Sequence, residues 1–412
     1  MSRKIVVAGG GAAGLMAAVQ AARCGASVTV LEHNEKPGKK LLATGNGKCN
    51  LTNLNLDISA YRSDSPDLVR SILKRFGPED TVSWFREIGL RIFDRQGWVY
   101  PCTEQSSSVL DLLLWEAERY HVHFKNKEEV IALEFGSPDT AMTVRTKTWQ
   151  YDADAVILAC GSPASAVRGS SDHAVRFAEA LNLRYSGFEP VLVPLQMADS
   201  ALAGWNGTRI HAAATLLIDG TVCGKDLGEI QLTSFGISGI PVFQLSRYAV
   251  PALQNRKQVI FLLDFLPEME SEELEEFWQE REQRYSSRTY SQLLTGVIPD
   301  RLIPVVLSAA GLRGPVCPSL ADHEENGALS VLLALLKEFP VRIRGTAAMD
   351  QAQVCSGGIL LSEMTESLCF RKYPGLYAAG EALNVDGPCG GYNLQWAWSS
   401  GSAAGQAAAK GV

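Results

Sequence analysis

The 412 residues contain no C-x-x-C pair, no apolar run near twenty residues, no Lys/Arg tract, and no internal repeat or low-complexity segment. Each absence closes a class. Nine cysteines, an odd number dispersed from Cys24 to Cys389, do not read as a disulfide framework, a zinc knuckle or a disulfide-reductase centre. Most read as small buried hydrophobes. The longest apolar stretches, 303–312 and 328–336, fall well short of the ~20 residues of a membrane span. With 38 Lys and Arg against 45 Asp and Glu, the net charge is −7 and the pI about 5.5. That is not the basic face of a dedicated nucleic-acid binder, so no nucleic-acid partner is expected. The start, Met1-Ser2-Arg3-Lys4 followed directly by Ile5-Val6-Val7-Ala8, is not a secretory signal, and a cytoplasmic location is expected. His121 and His123 form an H-x-H expected on one face of a strand; no further ligands cluster nearby, and no metal site is expected.

What is present is concentrated at the beginning. Residues 4–8 read as a buried parallel strand. Gly9-Gly10-Gly11-Ala12-Ala13-Gly14 follows, a match to G-x-G-x-x-G, then a small-residue helix to Cys24, Gly25, and a second strand ending at Glu32. Gly9 permits the tight turn. Gly11 lets a pyrophosphate approach the helix N-terminus, where free N–H groups and the dipole favour anions, and Gly14 lets helix and strand pack closely. Glu32 can accept hydrogen bonds from both hydroxyls of an adenosine ribose, and an acid there disfavours a 2′-phosphate. A lone glycine motif is weak; strand, glycines, helix, strand and acid in order supply its required context. The ligand is NAD-like or FAD.

Four later segments favour the flavin. Residues 36–53 alternate Gly, Asn, Thr and Lys, a loop able to present N–H groups to phosphate or a ring edge. Residues 155–161 form an apolar strand ending Ala159-Cys160-Gly161, which would pass close to the dinucleotide. Residues 374–381 form another strand ending in Gly380-Glu381, whose carboxylate could hold a ribityl hydroxyl. Residues 387–396 then open a small-residue helix, whose N-terminus can place positive partial charge beside the flavin pyrimidine edge. No second G-x-G-x-x-G with its acid occurs, so NAD(P)H is expected as a transient co-substrate rather than a resident.

With these motifs the sequence resembles the two-dinucleotide-binding-domain flavoproteins, and within them the BaiN-like, aminoacetone-oxidase-like family of bacterial FAD-dependent oxidoreductases. The resemblance is carried by 9–18, 39–53, 236–241, 356–359 and 375–401. It implies non-covalent FAD, with pyrophosphate contact by the backbone of Gly9, Gly11, Ala12, Ala13 and Gly14, ribose contact by Glu32 and an adenine-edge contact by Val130. It implies flavin contacts from Lys40, Leu41, Thr44, Gly45, Asn46, Gly47, Cys49 and Asn50, from Gly380 and Glu381, and from Gly391, Tyr392, Asn393 and Leu394. Family members commonly carry Thr at the positions of Cys355 and Cys389, Asp at Asn384 and a bulkier polar residue near Ser234. The catalytic residues are left unassigned. Tyr392 would serve as a proton donor if its hydroxyl faces substrate, or else only pack; Cys355 and Cys389 are candidates against a plain Thr-to-Cys replacement.

The fold expected is α/β: a discontinuous Rossmann-like FAD-binding domain of the glutathione-reductase type, 1–187 and 344–412, with a β-barrel-like insert over 188–343. Within the FAD domain, 107–119 reads as a helix, 121–124 as the third sheet strand, and 130–135, 142–146 and 149–152 as an antiparallel crossover. In the insert, 190–196, 210–218, 228–232 and 258–263 read as strands and 238–248 as a helix. Helices over 271–285, 299–312 and 323–339 give a nested helical subdomain, about 268–338. The leading function is NAD(P)H-driven reduction of an activated C=C bond in a small hydrophobic, steroid-like substrate, by resemblance. The alternatives are an O2-dependent oxidase of a small amine such as an aminoketone, and a tRNA-modifying or regulatory flavin-binding protein. The substrate pocket is expected between the FAD domain and the insert.

Overall fold

The computed structural model describes residues 2–136, 142–165, 170–312 and 327–412. It separates into two compact units, Met1–Pro190 with Met349–Val412, and Val191–Ala348. The sequence boundaries at 187 and 343 precede these divisions by three and five residues.

The first unit is built on β1 (Lys4–Ala8), α1 (Ala12–Arg23), β2 (Ser27–Glu32), α2 (Ser106–Arg119), β3 (His123–Asn126), β4 (Ala155–Leu158), β5 (Leu376–Ala378) and α3 (Tyr392–Lys410). The five strands form a parallel sheet in the order β5-β4-β1-β2-β3. Val7 of β1 lies between Val30 and Ile157. β4 is buried throughout and β1 from Ile5 onward, the near-continuous apolar pattern of strands covered on both faces. The small residues of α3 have a steric reason. A Cβ at Gly401 would stand 2.5 Å from the Ala13 carbonyl oxygen, and one at Gly405 2.3 Å from that of Ala17. The two helices therefore meet nearly backbone to backbone.

The antiparallel crossover is Val130–Glu134, Met142–Thr146 and Gln150–Ala153, as read from the sequence. The H-x-H reading is corrected. His121 stands at φ +58° in the turn leaving α2, with its N–H on Glu118 O at 2.9 Å, and only His123 enters β3. The two imidazoles do not share a strand face, because the chain spends one left-handed residue reversing from helix to strand. The sequence reading assigns nothing between 54 and 106. Two helices with proline in the first turn, Pro66–Arg75 and Pro78–Glu87, and a hairpin of Ile92–Arg95 with Trp98–Pro101 occupy that stretch.

The second unit holds a closed six-stranded barrel in the order Leu195–Met197, Gly236–Gly239, Thr221–Leu232, Thr208–Ile218, Val259–Asp264, Phe339–Thr346. Its core follows period-two burial: Val259, Phe261 and Leu263 alternate with half-buried neighbours, and Phe339, Val341 and Ile343 with exposed ones. The single strand expected over 190–196 is two elements. Tyr185–Val191 pairs with Val354–Ile359, and Leu192 at φ +52° breaks the run before Leu195. The helix read at 238–248 is Ile240–Gln254. Helices Ser271–Arg284, Tyr290–Leu293, Ile303–Ala309 and Ala328–Lys337 form the nested subdomain, where Trp278 and Tyr290 stack at 6.2 Å. The helix expected over 323–339 lies partly outside the described residues and ends at Lys337. The chain then runs on as a barrel strand through Thr346, beyond the re-entry read near 344. Among the described residues no helix is long and apolar enough to cross a membrane.

Candidate dinucleotide and flavin site

The three motif glycines differ in what surrounds them. A Cβ on Gly9, which sits at φ +111°, would lie 2.4 Å from Ala159 O. One on Gly14 would lie 1.9 Å from Gly9 O. These two positions admit only hydrogen: one for the turn, the other for the packing of α1 on the loop. Gly11 is unlike them. It has φ −80°, and among the described residues a Cβ there would meet no atom within 4 Å. It also caps α1, and no side chain bonds to the orphan N–H groups of the first turn. Backbone donors at the positive end of a helix thus border open space, which fits the pyrophosphate of a dinucleotide.

That space is a cleft open to solvent. Gly9, Gly11, Glu32, Lys40, Val130, Ala159, Cys160 and Gly161 of the expected set line it. Glu32 is 4% exposed. Its Oε2 accepts from Gly10 N–H at 2.9 Å, and its Oε1 accepts from the Asn34 backbone and side-chain N–H groups at 2.8 and 2.9 Å. The carboxylate is held by fixed donors and retains acceptor capacity for hydroxyls. Glu32→Ala is expected to weaken FAD retention and to leave Gly10 N–H buried without its acceptor, a cost of about 1–3 kcal/mol. Flavin content after gel filtration and the urea midpoint read the two losses separately; normal flavin occupancy in this variant contradicts the ribose assignment.

At the other end of the cleft, Lys40 Nζ lies 2.5 Å from Glu381 Oε2 and 3.2 Å from Ser162 Oγ. Ser162 in turn bonds Glu381 Oε2 at 3.1 Å. Glu381 joins the site through this triangle. Ser162 escaped the sequence reading, although it directly follows Ala159-Cys160-Gly161. The cleft also takes His33, Asn34, Lys39, Glu129, His173 and Phe177, which the sequence reading did not assign to the site. Asn34 and Lys39 stand just beyond Glu32 and bond each other at 3.1 Å. Nothing in the motif spacing points to His173 or Phe177.

The remaining expected contacts lie elsewhere in the first unit. Ala12, Ala13 and Gly14 belong to the first turn of α1, where Ala13 and Gly14 are buried. The 44–50 loop bends through left-handed residues at Gly45, Asn46, Gly47 and Cys49. Thr44 Oγ1 donates to Leu41 O at 2.6 Å, and Leu41 and Cys49 are buried in the core. Burial pushes the Cys49 thiol up to about 12, against a smaller opposing hydrogen bond with Thr44. With its amide nitrogen turned inward, Asn50 donates to Val99 O and Thr52 O.

The C-terminal segment is fixed by close contacts. A Cβ at Gly380 would stand 2.7 Å from Ala13 Cβ, and one at Gly391 would stand 2.5 Å from the Thr52 backbone. Gly391 caps α3 without a side-chain bond, so the first turn of that helix keeps orphan donors, as in α1. Asn393 folds back on its own loop: Gly387 N–H donates to its Oδ1 at 2.8 Å, and its Nδ2 donates to Gly387 O at 2.9 Å. Leu394 is partly buried against the core. The Tyr392 hydroxyl accepts from Asp57 N–H at 2.9 Å, and its ring packs on Tyr61 at 5.4 Å between centroids.

Cys355 is 4% exposed, with Sγ 3.3 Å from Met349 Sδ. Burial first, and the Glu381 charge second, push its thiol from 9.0 up to about 11. It is a protonated thiol at neutral pH, not a ready nucleophile. Cys389 is half-buried, 3.9 Å from Gln353 Oε1. The raised value has a stability consequence. The native state keeps the Cys355 proton at pH values where the unfolded chain has lost it, so this group's contribution to stability is intact below pH 9 and is lost as pH rises from 9 through 11, beside the fall due to Cys49. Cys355→Ala is expected to flatten that alkaline fall, measured as urea midpoints across the same range.

The family model described as the HI0933-like protein Rossmann domain matches residues 3–407. A 3-dehydro-bile acid delta(4,6)-reductase of Clostridium scindens is 38% identical over 410 residues, covering 99% of both chains. A ribosomal RNA dihydrouridine synthase of Escherichia coli is 27% identical over 97% of this chain and 96% of its own. Among solved structures, the 3-ketosteroid delta1-dehydrogenase of Sterolibacterium denitrificans matches with a TM-score of 0.51 at 11% identity, covering 99% of this chain and all of its own. At that identity the likeness is one of fold.

Proposed function

The chain belongs to the HI0933-like Rossmann family and is an FAD-dependent oxidoreductase; from that premise we propose that it reduces a C=C bond conjugated to a carbonyl in a small, apolar, steroid-like substrate, with NAD(P)H as electron donor. The observation that carries the reading is the end-to-end likeness to the bile-acid reductase. The more distant relatives that act on ribosomal RNA raise a nucleic-acid substrate as the competing case. Charge counts against it: Val191–Ala348 carries 13 Lys and Arg against 18 Asp and Glu, so the insert offers no net positive field to a polyphosphate.

FAD, when bound, supplies the hydride transfer; the protein supplies position and electrostatics. In this reading the orphan N–H groups at Gly11 hold the pyrophosphate, Glu32 the ribose hydroxyls and the Val130 backbone the adenine edge. Lys40, Ser162 and Glu381 form the polar wall toward the ribityl chain. The uncapped first turn of α3 directs positive partial charge outward, where it favours an anionic ring. Tyr392 is assigned to packing, because its hydroxyl is engaged by Asp57 N–H and its ring is buried on Tyr61.

The test is anaerobic stopped-flow mixing of the holoprotein with NADH or NADPH, followed by a panel of 3-oxo-4-ene steroids. Bleaching of the oxidised flavin by a nicotinamide, then reoxidation by an enone, is the expected result. Absence of bleaching, with hydrogen peroxide produced from small amines in air, overturns the proposal in favour of an oxidase. Reoxidation by a uridine-containing RNA and by no steroid overturns the substrate class alone.

A further inference from the structure

Beyond the residues of the glycine motif, the cleft wall at the Val130 end carries a hydrogen-bonded chain that the cofactor reading does not use. His173 stands at the first position of the helix His173–Ala180 and lines the cleft. Its Nδ1 lies 2.5 Å from Ser171 Oγ, and its Nε2 lies 3.0 Å from Glu129 Oε1. With the proton on Nε2, the ring donates to the carboxylate and accepts from the serine hydroxyl, so both nitrogens are satisfied in the neutral form. Glu129 also pairs with Lys147. That lysine first, and His173 after it, hold the Glu129 carboxyl below the usual range. Phe177, one turn beyond His173, lines the same cleft, with ring centroids 6.3 Å apart.

The segment bearing Glu129 is anchored to the strand that ends in the ribose acid. Lys127 N–H donates to Asn34 O and Glu128 N–H to Glu32 O, both at 2.9 Å. Residues 127–130 thus run directly beside Glu32, with backbone bonds on one side and the His173 chain on the other. The side chain that His173 grips is the one immediately before Val130. Without that grip, the partner left to the Glu129 side chain among the described residues is Lys147, which is mostly exposed.

We propose that His173 is a positioning residue for the adenosine half of bound FAD: held by Ser171, it fixes Glu129 and with it the Val130 backbone at the cleft wall. The inference rests on the cleft holding FAD. It predicts a loss confined to the adenosine end. A charge-assisted hydrogen bond of this kind gives about a tenfold effect when removed.

The experiment compares FAD, ADP and FMN on the full chain, stripped of flavin and reconstituted, by flavin fluorescence quenching and by ADP competition. His173→Ala is expected to raise the dissociation constants of FAD and ADP about tenfold and to leave that of FMN unchanged. His173→Gln, whose amide can still donate to Glu129, is expected to recover most of the loss. Parent-like binding of FAD and ADP by His173→Ala overturns the proposal, as does a proportionate loss for FMN, which marks a general loosening of the fold. Should His173→Ala not fold, Ser171→Ala and Glu129→Gln carry the same reading: losses on FAD and ADP alone support it, and parent-like values overturn it. Failure of the parent chain to bind FAD or ADP sinks the cofactor assignment itself, a separate outcome.

Discussion

Gly11→Val is expected to give a folded, colourless protein, whereas Gly14→Val is expected to lose about 3 kcal/mol or more of folding stability. The two positions lie three residues apart in one motif, and the sequence already assigns them different roles, Gly11 toward the phosphate and Gly14 in the packing of helix on strand. The space around them agrees. At Gly11 the backbone is at φ −80°, open to any L-residue, and among the described residues nothing stands within 4 Å of an added Cβ. The valine would fill space reserved for the cofactor. Several hydrogen bonds to a charged pyrophosphate are lost together, at about 1.5–3 kcal/mol each, so affinity falls by about a thousandfold or more. At Gly14 the added carbon would lie 1.9 Å from a backbone oxygen of the loop itself. Neither partner is the end of a flexible side chain, so helix and strand must separate, at a cost of about 3 kcal/mol or more. Urea midpoints in the absence of flavin, beside the ratio of flavin to protein after gel filtration, distinguish the two. Unfolding of Gly11→Val, or full flavin occupancy in it, contradicts the assignment of its open side to the ligand.

Lys40→Met and Glu381→Gln are expected to lower FAD affinity about ten- to a hundredfold, and the double variant by less than the two combined. Lys40, Ser162 and Glu381 form a closed triangle of contacts. Removing one charge leaves the other facing the cofactor without its counterion. The Lys40 and Glu381 side chains are 26% and 19% exposed, so solvent weakens their attraction, and a coupling of about 1 kcal/mol is expected rather than the value for a fully buried pair. A double-mutant cycle on the FAD dissociation constant measures it. Additive single effects show that the pair acts on the flavin independently.

The sheet and the helix at its centre were legible because each depends on local patterns. β1, β4 and β5 are short apolar runs ended by glycine or small residues, and α1 follows its glycines at once. Of the crossover strands, Met142–Thr146 and Gln150–Ala153 alternate as half-buried strands do. The barrel was harder. Thr221–Leu232 is exposed or half-buried as far as Glu229, so buried apolar residues appear at its end alone, at Ile230 and Leu232. Gly236–Gly239 is half glycine, and it sits so close to the next strand that a Cβ on Gly236 would lie 1.9 Å from Leu195 O. Backbone proximity of that kind leaves no hydrophobic trace to read.

Within the site, the motif identified the phosphate end and the ribose acid, because those roles need glycine and a carboxylate at set distances. It did not identify Ser162, His173 or Phe177, which reach the cleft by tertiary packing. The family resemblance, rather than the motif, implies flavin contacts from Leu41, Cys49, Asn50 and Asn393. Their side chains serve the core or their own loops.

The pairing of α1 with α3 bears on how the chain is made. Helix Ala12–Arg23 leaves a ribosome well before the backbone it packs on, which lies around Gly401 and Gly405, nearly four hundred residues downstream. The strand Leu376–Ala378 that completes the sheet is almost as late. At about 5–20 residues per second, the apolar face of α1 waits on the order of 20–80 s for its partner. During that interval the barrel unit has all its strands in hand and can close. The nascent nucleotide-binding half remains an open, sticky surface, the form of the protein most in need of a chaperone.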